Sequence, residues 1–461
     1  MEKTTGDRRL PRGFAMRMQA LLGEEYESFR QAMEEAPPVR GVRLNPIKAG
    51  RAEAVLAPHL LAKIPYTEDG YYCDGSLSGN HPLHLAGALY FQDPGAMSAV
   101  PAVSVKKGAR VLDMCAAPGG KSAQLAAAIG ETGGLLVSNE PVASRCRILA
   151  GQMERLGVKN ACVTNVYPDK VASWYDRYFD LVLTDAPCSG EGMLRKSEEA
   201  RQEWSEANVL ACAERQRGIL DAAARTVKGG GMLLYSTCTF SVEENEGAVA
   251  DFLDRHPDFS LVAVNDAVRA ATADGVTAGF SPALALTRRF YPHRMAGEGQ
   301  FMALLHRADE AGEGGILYTP GCEKLTNEEK KAVAAFLEDT LEGALAHPVF
   351  KRGERLEIIP NGVLPPPHAT FAAGVCLGSV TKGRLVPHHA FFAAYGGECR
   401  RRLDLSLDDP RLGAYLHGDT VSAEGLDDGF AALLVEGVPL GGGKVVSGVL
   451  KNYYPKGLRL P

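Results

Sequence analysis

Between residues 80 and 306 the chain alternates between short unbroken apolar runs and longer stretches whose apolar residues recur every three or four positions. ARVLDM, GLLVSN, ACVTNV, DLVLTD and GMLLYS are the runs, each bounded by turn residues or charge. KSAQLAAAI, VASRCRILAGQMERLG and VLACAERQRGILDAAARTV carry the helical spacing. A strand covered on both faces needs apolar side chains in both directions, so continuous runs alternating with helices predict a parallel sheet with helices on both faces. The class is α/β.

The pattern changes on either side. An amphipathic stretch, FAMRMQALLGEEYESFRQAMEEA, and a short extended run, RGVRLNPIKA, predict a small α+β domain over 1–78, ahead of a core over 79–306. HRADEAGEGG (306–315) reads as a Gly-rich acidic linker. TNEEKKAVAAFLEDTLE then opens on a capping box, Thr326 with Glu329. An accessory α+β unit over 316–395 and a β-rich unit over 396–461 complete the expected division.

Composition narrows the class. Of 461 residues 45 % are hydrophobic and 23 % charged, which excludes a wholly disordered chain. Fifty Lys and Arg against 56 Asp and Glu give a net charge of −6, which argues against a surface coated in positive charge. The charged N-terminus has no apolar signal core, and no apolar run approaches the ~18 residues of a spanning helix. Ten scattered cysteines, without a CxxC pair, suggest neither a zinc knuckle nor a disulfide framework. The expected protein is reduced, cytoplasmic, metal-free and monomeric, with no membrane partner.

Two places carry candidate chemistry. In ARVLDMCAAPGGKSAQL a strand ends at Asp113 and a Pro/Gly loop leads into a helix, the place where open parallel sheets bind ligands. GGKS imitates a P-loop, but Cys115 stands where that motif needs its first glycine. Glu140, twenty residues after Gly120, ends the second strand, where a carboxylate can accept from both hydroxyls of a ribose. With AAPGG in place of GxGxxG, S-adenosyl-L-methionine is the favoured cofactor over a dinucleotide. Arg145 is either a support for that region or a helix-surface charge.

The second place is a pair of loops. DLVLTDAPCSGEG puts Asp185, Pro187 and Cys188 past the fourth strand, and GMLLYSTCTFSVEENE puts Cys238 past the fifth. Carbon 5 of a pyrimidine is a poor nucleophile towards a sulfonium methyl. A thiolate added at C6 activates it, and a second group must remove the C5 proton before the thiolate leaves. Two cysteines at one sheet edge suit that division of labour, though this chemistry alone does not say which attacks.

Together, DMCAAPGGKS, NEPVASR, DAPCSGEG and YSTCTFSVEENE, flanked by FQDPGAMSAV and RRFYPHRMAGEGQFMALL, resemble the Nol/Nop/Sun family of RNA cytosine-C5 methyltransferases. The resemblance implies a Rossmann-like fold. It assigns Cys115, Ala116, Ala117, Pro118, Gly119, Gly120 and Lys121 to the cofactor, Glu140 to its ribose, and Asp185 to the region between cofactor and base. It makes Cys238 the nucleophile, gives Cys188 a part in adduct breakdown, and lets Lys121 reach the base. Members commonly carry an Asp just after the third strand, where this chain has Tyr167. Asn165 and Asp169 are candidate substitutes there, and Tyr167 is a candidate to stack on the adenine.

RNA requires cations and aromatic faces, and three segments offer them: TRRFYPHR (287–294), CRRR (399–402) and SGVLKNYYPKGLR (447–459). The C-terminal segment resembles the PUA-like domain of the family's bacterial ribosomal-RNA enzymes, with Gly442 where an aromatic is often found. RGVRLNPIKA, with Arg43, Asn45 and Lys48, resembles their N-terminal extension. Small-subunit ribosomal RNA is the expected substrate. The alternatives are transfer RNA, or an RNA-binding assembly factor without turnover, which retention of both cysteines and Asp185 disfavours. A nitrogen methyltransferase would need Asn/Asp-Pro-Pro-aromatic where this chain reads DAPCSG.

Overall fold

The computed structural model describes residues 9–48, 52–130, 133–359, 366 and 369–461. Five parallel strands form its centre: β1 (Arg110–Asp113), β2 (Leu135–Asn139), β3 (Ala161–Thr164), β4 (Phe179–Asp185) and β5 (Val227–Thr237). They lie in the order β3-β2-β1-β4-β5, so the direction of winding reverses between β1 and β4. Helices α1 (Gly120–Ile129), α2 (Ala143–Arg155) and α3 (Glu206–Thr226) are the three expected ones.

Alternation along each strand builds two cores. Val111, Leu136, Leu181, Leu183 and Leu234 point into one, while Leu112, Val137, Val182, Leu233 and Tyr235 point into the other. Fully burying a Leu or Val contributes about 1.5–3 kcal/mol, so a polar residue at any of these positions would be selected against on either face.

The periphery departs from the expected division. The N-terminal sheet takes its fourth strand from Leu89–Phe91, beyond residue 78. The amphipathic stretch is broken at Gly23, in the left-handed region, into two helices whose Phe14, Met18, Phe29 and Met33 pack on Phe240 and Tyr291. Residues 306–315 are not a free linker: Gly229 donates to Gly312, and Gly315–Ile316 pairs with Tyr175–Asp176. Thr370–Ala373 joins the main sheet beside β3, and Phe336, Phe391 and Leu434 share one core, so the chain has no structural break at 395.

Two of the three basic segments also change meaning. In 287–294, Arg288–Phe290 is a sheet strand, and Phe290 and Tyr291 are buried. Arg289, 2 % exposed, is paired with the fully buried Glu246 and donates to Phe240 O at 2.7 Å; Arg288 is paired with Asp274. In 399–402, Cys399 is buried, Arg401 meets Asp339 at 2.9 Å and Arg402 meets Glu342 at 2.9 Å. Arg400 Nε donates to Glu338 O at 3.2 Å, so this cluster closes the C-terminal end of helix Asn327–Thr340. The third segment keeps Lys451 and Lys456 exposed, although Tyr454 is core. Gly442 lies inside strand Val438–Val446 against the Phe392 ring, where a Cβ would approach within 2.5 Å, so no aromatic fits there. Among the described residues no helix is long and apolar enough to cross a membrane.

Removing one partner of a buried ion pair strands the other charge. Arg289→Ala is therefore expected to lower unfolding free energy by about 3–5 kcal/mol. Arg294→Ala, which breaks an exposed pair with Glu25, should cost under about 1 kcal/mol. Urea denaturation of the two variants checks the contrast.

Candidate active site

The reversal between β1 and β4 opens a crevice at the C-terminal ends of the strands, the favoured ligand position in such sheets. A cavity of about 220 Å³ lies there, lined by Tyr90, Gln92, Asp113, the 115–118 loop, Gly120, Lys121 and Asp185 among others. Gly119, at φ +115°, turns the loop into α1, and a Cβ on Gly120 would come within 3.0 Å of Tyr90. Glycine at both positions thus permits the close approach, and among the described residues no side chain caps the N-terminus of α1.

Its polar groups are well defined. Ser122 Oγ donates to Asp113 Oδ2 at 2.6 Å, while Asp113 Oδ1 and Gln92 Oε1 are buried acceptors with no hydrogen-bond partner among the described residues. Burial pushes the Asp113 carboxyl up to about 7; the Ser122 bond opposes this and the Asp185 charge adds to it. Burial, then the charges of Asp113, Asp185 and Glu140, hold the Cys115 thiol well above its ordinary range. Lys121 donates to Asp185 Oδ2 at 2.7 Å; burial pulls the ammonium down, but the Asp185 charge and hydrogen bond outweigh it and the net shift is upward.

Glu140 and Arg145 stand beside this cavity rather than in its lining. Arg145 bridges them to the loop, 3.4 Å from Glu140 Oε2 and donating to Ala117 O at 2.9 Å. Glu140 Oε1 accepts from Val142 N at 2.9 Å. Asn165 spends its side chain on the carbonyls of Glu140 and Pro141, at 2.7 and 3.0 Å, so it shapes the loop through the backbone. Tyr167 is 76 % exposed, and Asp169 is exposed in the first turn of helix Pro168–Trp174.

Asp185 joins the cavity to the cysteines. Its Oδ1 accepts from Ser236 Oγ at 2.6 Å, and Ser236 lies opposite Asp185 in the β4–β5 pairing. Past those two residues, the sulfurs of Cys188 and Cys238, 50 positions apart in the chain, are 3.3 Å from each other. Contact with Cys238, then burial, pushes the Cys188 thiol well above its ordinary range. A larger cavity of about 370 Å³, between Phe14, Met18 and residues 240–243, contains none of the expected site residues.

Several residues of the site carry no motif signal of their own in the sequence. Gln92 sits in the FQDPGAM segment, Ser236 in the strand before Cys238, and Glu191 and Glu244 in the two cysteine loops. An acidic residue beside each cysteine motif was the available signal, but nothing local distinguishes a buried acid from a solvated one.

Residues 101–306 match the family described as 16S rRNA methyltransferase RsmB/F. Residues 10–94 match the N-terminal domain of 16S rRNA methyltransferase RsmF, and 402–460 match the methyltransferase RsmF PUA domain. The chain is 31 % identical to ribosomal RNA small subunit methyltransferase F of Klebsiella pneumoniae, over 97 % of this chain and 96 % of that one. It is 36 % identical to the protein of that name from Vibrio parahaemolyticus, over 51 % of this chain and 52 % of that one. Among solved structures, a methyltransferase homolog protein from Pyrococcus horikoshii superimposes with a TM-score of 0.54 at 27 % identity, over 64 % of this chain and 94 % of that one. NSun6 from the same organism, solved with SFG, shares the fold with a TM-score of 0.53 at 21 % identity, over 64 % and 98 %. The core is therefore a Rossmann-like, S-adenosylmethionine-dependent methyltransferase fold carrying an N-terminal domain and a C-terminal PUA domain, and the chain belongs to the ribosomal RNA small subunit methyltransferase F family.

Proposed function

We propose that this protein methylates carbon 5 of cytosine in small-subunit ribosomal RNA through a covalent adduct on Cys238. The observation that carries this reading is the 3.3 Å contact between the Cys188 and Cys238 sulfurs at the C-terminal ends of neighbouring strands. A single nucleophile would not need a second thiol in van der Waals contact.

The cavity beside Asp113 suits the cofactor's methionine end. Two acceptors without a partner among the described residues, Asp113 Oδ1 and Gln92 Oε1, match an ammonium group, and the N-terminus of α1 suits a carboxylate. Residues 115–121 would line this end, and Glu140, oriented by Arg145, would take the ribose. Bound there, S-adenosylmethionine supplies an electrophilic methyl group on a sulfonium.

Cys238 as thiolate adds to C6 and places electron density on C5. The Lys121 ammonium is held by Asp185 at 2.7 Å, and the Cys238 charge acts on it. Bonding to C6 consumes the Cys238 charge and so withdraws the main cause that keeps Cys188 protonated. Cys188 can then lose its proton to solvent and, once C5 carries the methyl, take the C5 proton. The C6–sulfur bond breaks and Cys238 leaves as thiolate.

For RNA, the residues flanking the core offer less charge than the sequence suggests. Lys444 and Lys451 lie directly opposite one another on exposed strand positions, and Lys456 is exposed nearby. Like charges so placed repel unless an anion lies across them, which supports phosphate contact at this end of the chain. We assign RNA grip to the N-terminal domain and the C-terminal PUA domain that flank the core.

With small subunits from cells lacking the protein, Cys238→Ala should neither transfer methyl nor form a denaturation-resistant RNA adduct. Cys188→Ala should accumulate that adduct. Normal methylation by Cys238→Ala rules the mechanism out, and bisulfite mapping of the product tests the cytosine assignment. Asp113 becomes a full acceptor as it ionises, so cofactor affinity should rise about tenfold between pH 6 and pH 8, as expected for a carboxyl near 7. Calorimetry with Asp113→Asn, which should abolish the pH dependence, is the control.

A further inference from the structure

Glu244 is fully buried in the loop after Cys238, and among the described residues no lysine or arginine pairs with it. Four uncharged donors surround its carboxylate instead. Oε2 accepts from Ser189 N at 2.9 Å and from Gln216 Nε2 at 2.8 Å. Oε1 accepts from Ser241 Oγ at 2.9 Å and from Ser189 Oγ. The same Gln216 amide donates to Pro187 O at 3.1 Å. The residues immediately before and after Cys188 are thus both anchored through this one carboxylate.

Cys238 has other supports. Its carbonyl accepts from Gly192 N at 2.8 Å. Glu191 Oε2 accepts from Thr239 Oγ1 at 2.8 Å and Phe240 N at 3.0 Å, and Asn245 Nδ2 donates to Thr239 O at 3.0 Å. Removing Glu244 would therefore loosen the Cys188 loop, leaving it the Ser189 Oγ–Thr239 Oγ1 contact at 2.9 Å, while Cys238 stays held.

We propose that Glu244 is a positioning residue that holds Cys188 against Cys238, and that its loss impairs release of the RNA adduct rather than its formation. This rests on the two-cysteine reading above. A further contribution runs the same way: the Glu244 charge adds to the Cys238 contact and burial in keeping Cys188 protonated before attack. The substitution chemistry is also asymmetric. In Glu244→Gln the remaining oxygen can still serve Ser189 N and Gln216, while the new NH₂ faces serine hydroxyls that can rotate to accept. Glu244→Ala takes an acceptor from four buried donors, of which the Gln216 amide keeps Pro187 O and the Ser189 hydroxyl keeps Thr239 Oγ1.

The test follows adduct formation and methyl turnover separately, using small subunits from cells lacking the protein and S-adenosylmethionine, with wild type and Cys188→Ala in parallel. Glu244→Ala should form adduct within about threefold of the wild-type rate but turn over on the order of tenfold more slowly, so that adduct accumulates. Glu244→Gln should restore turnover to within about threefold of wild type. A folded Glu244→Ala protein that loses adduct formation and turnover together overturns the proposal, as does one that turns over normally. If Glu244→Ala does not fold, Ser189→Ala, which keeps the backbone donor, should accumulate adduct to a smaller extent; release at the wild-type rate would count against Glu244. Absence of adduct in Cys188→Ala identifies failure of the two-cysteine reading itself, and the proposal falls with it.

Discussion

The parallel pairing of β4 with β5 is the constraint on which the rest of the site depends. It sets Asp185 opposite Ser236, and the two loops that leave those strands carry Cys188 and Cys238 to a common edge. A shift of one residue would turn every side chain of one strand to the other face, burying polar groups in the apolar cores and parting the sulfurs. The hydrophobic alternation that fills both cores is therefore also what aligns Asp185 and the two cysteines. Asp185 uses that alignment: one oxygen takes the Ser236 hydroxyl and the other the Lys121 ammonium, so β4, β5 and α1 are tied together at the C-terminal edge of the sheet.

Buried charge serves as internal bracing. Arg195 and Glu298, 2 % and 3 % exposed, meet at 2.7 Å, and Lys196 reaches both Asp93 and Glu298, linking the segment after Cys188 to two distant loops. Lys48 is a more extreme case. Its ammonium donates to the carbonyls of Ala86, Arg155 and Pro439, at 2.7, 3.1 and 2.9 Å, which joins the N-terminal unit, α2 and the C-terminal unit at one atom. Burial lowers the Lys48 pKa well below its ordinary range, and the charge of Arg155 adds to that. Asn45 reinforces the junction by donating to Gly87 O and Leu156 O. Such groups contribute little net stability, since desolvation offsets attraction, but they allow only one arrangement of the parts.

This bracing changes the meaning of the overall charge. Several arginines that look like an RNA surface in the sequence are neutralised inside the protein or cap a helix, leaving a smaller set of exposed lysines near the C-terminus. A net charge of −6 is compatible with RNA when the free cations are few and local, because their field extends only about 8 Å at physiological salt.

Much was legible in the sequence because it depends on neighbours along the chain. The apolar runs ending at Asp113, Asn139 and Asp185, the helices between them, the Thr326–Glu329 capping box, and the placing of Cys188 and Cys238 just past strands all follow from periodicity and turn chemistry. The order of motifs carried the family resemblance for the same reason. What the tertiary structure alone decided is which polar residues are inside. Arg289 and Arg294 sit five positions apart in one basic segment, yet one is sealed against Glu246 and the other is exposed, because only the first points inward from a strand paired with a neighbour. Glu243 and Glu244 are adjacent, yet the first pairs with Arg17 at the surface and the second is closed in beneath the cysteine loops. Burial is set by segments that meet from far apart in the chain, and a local pattern of charge carries no record of them.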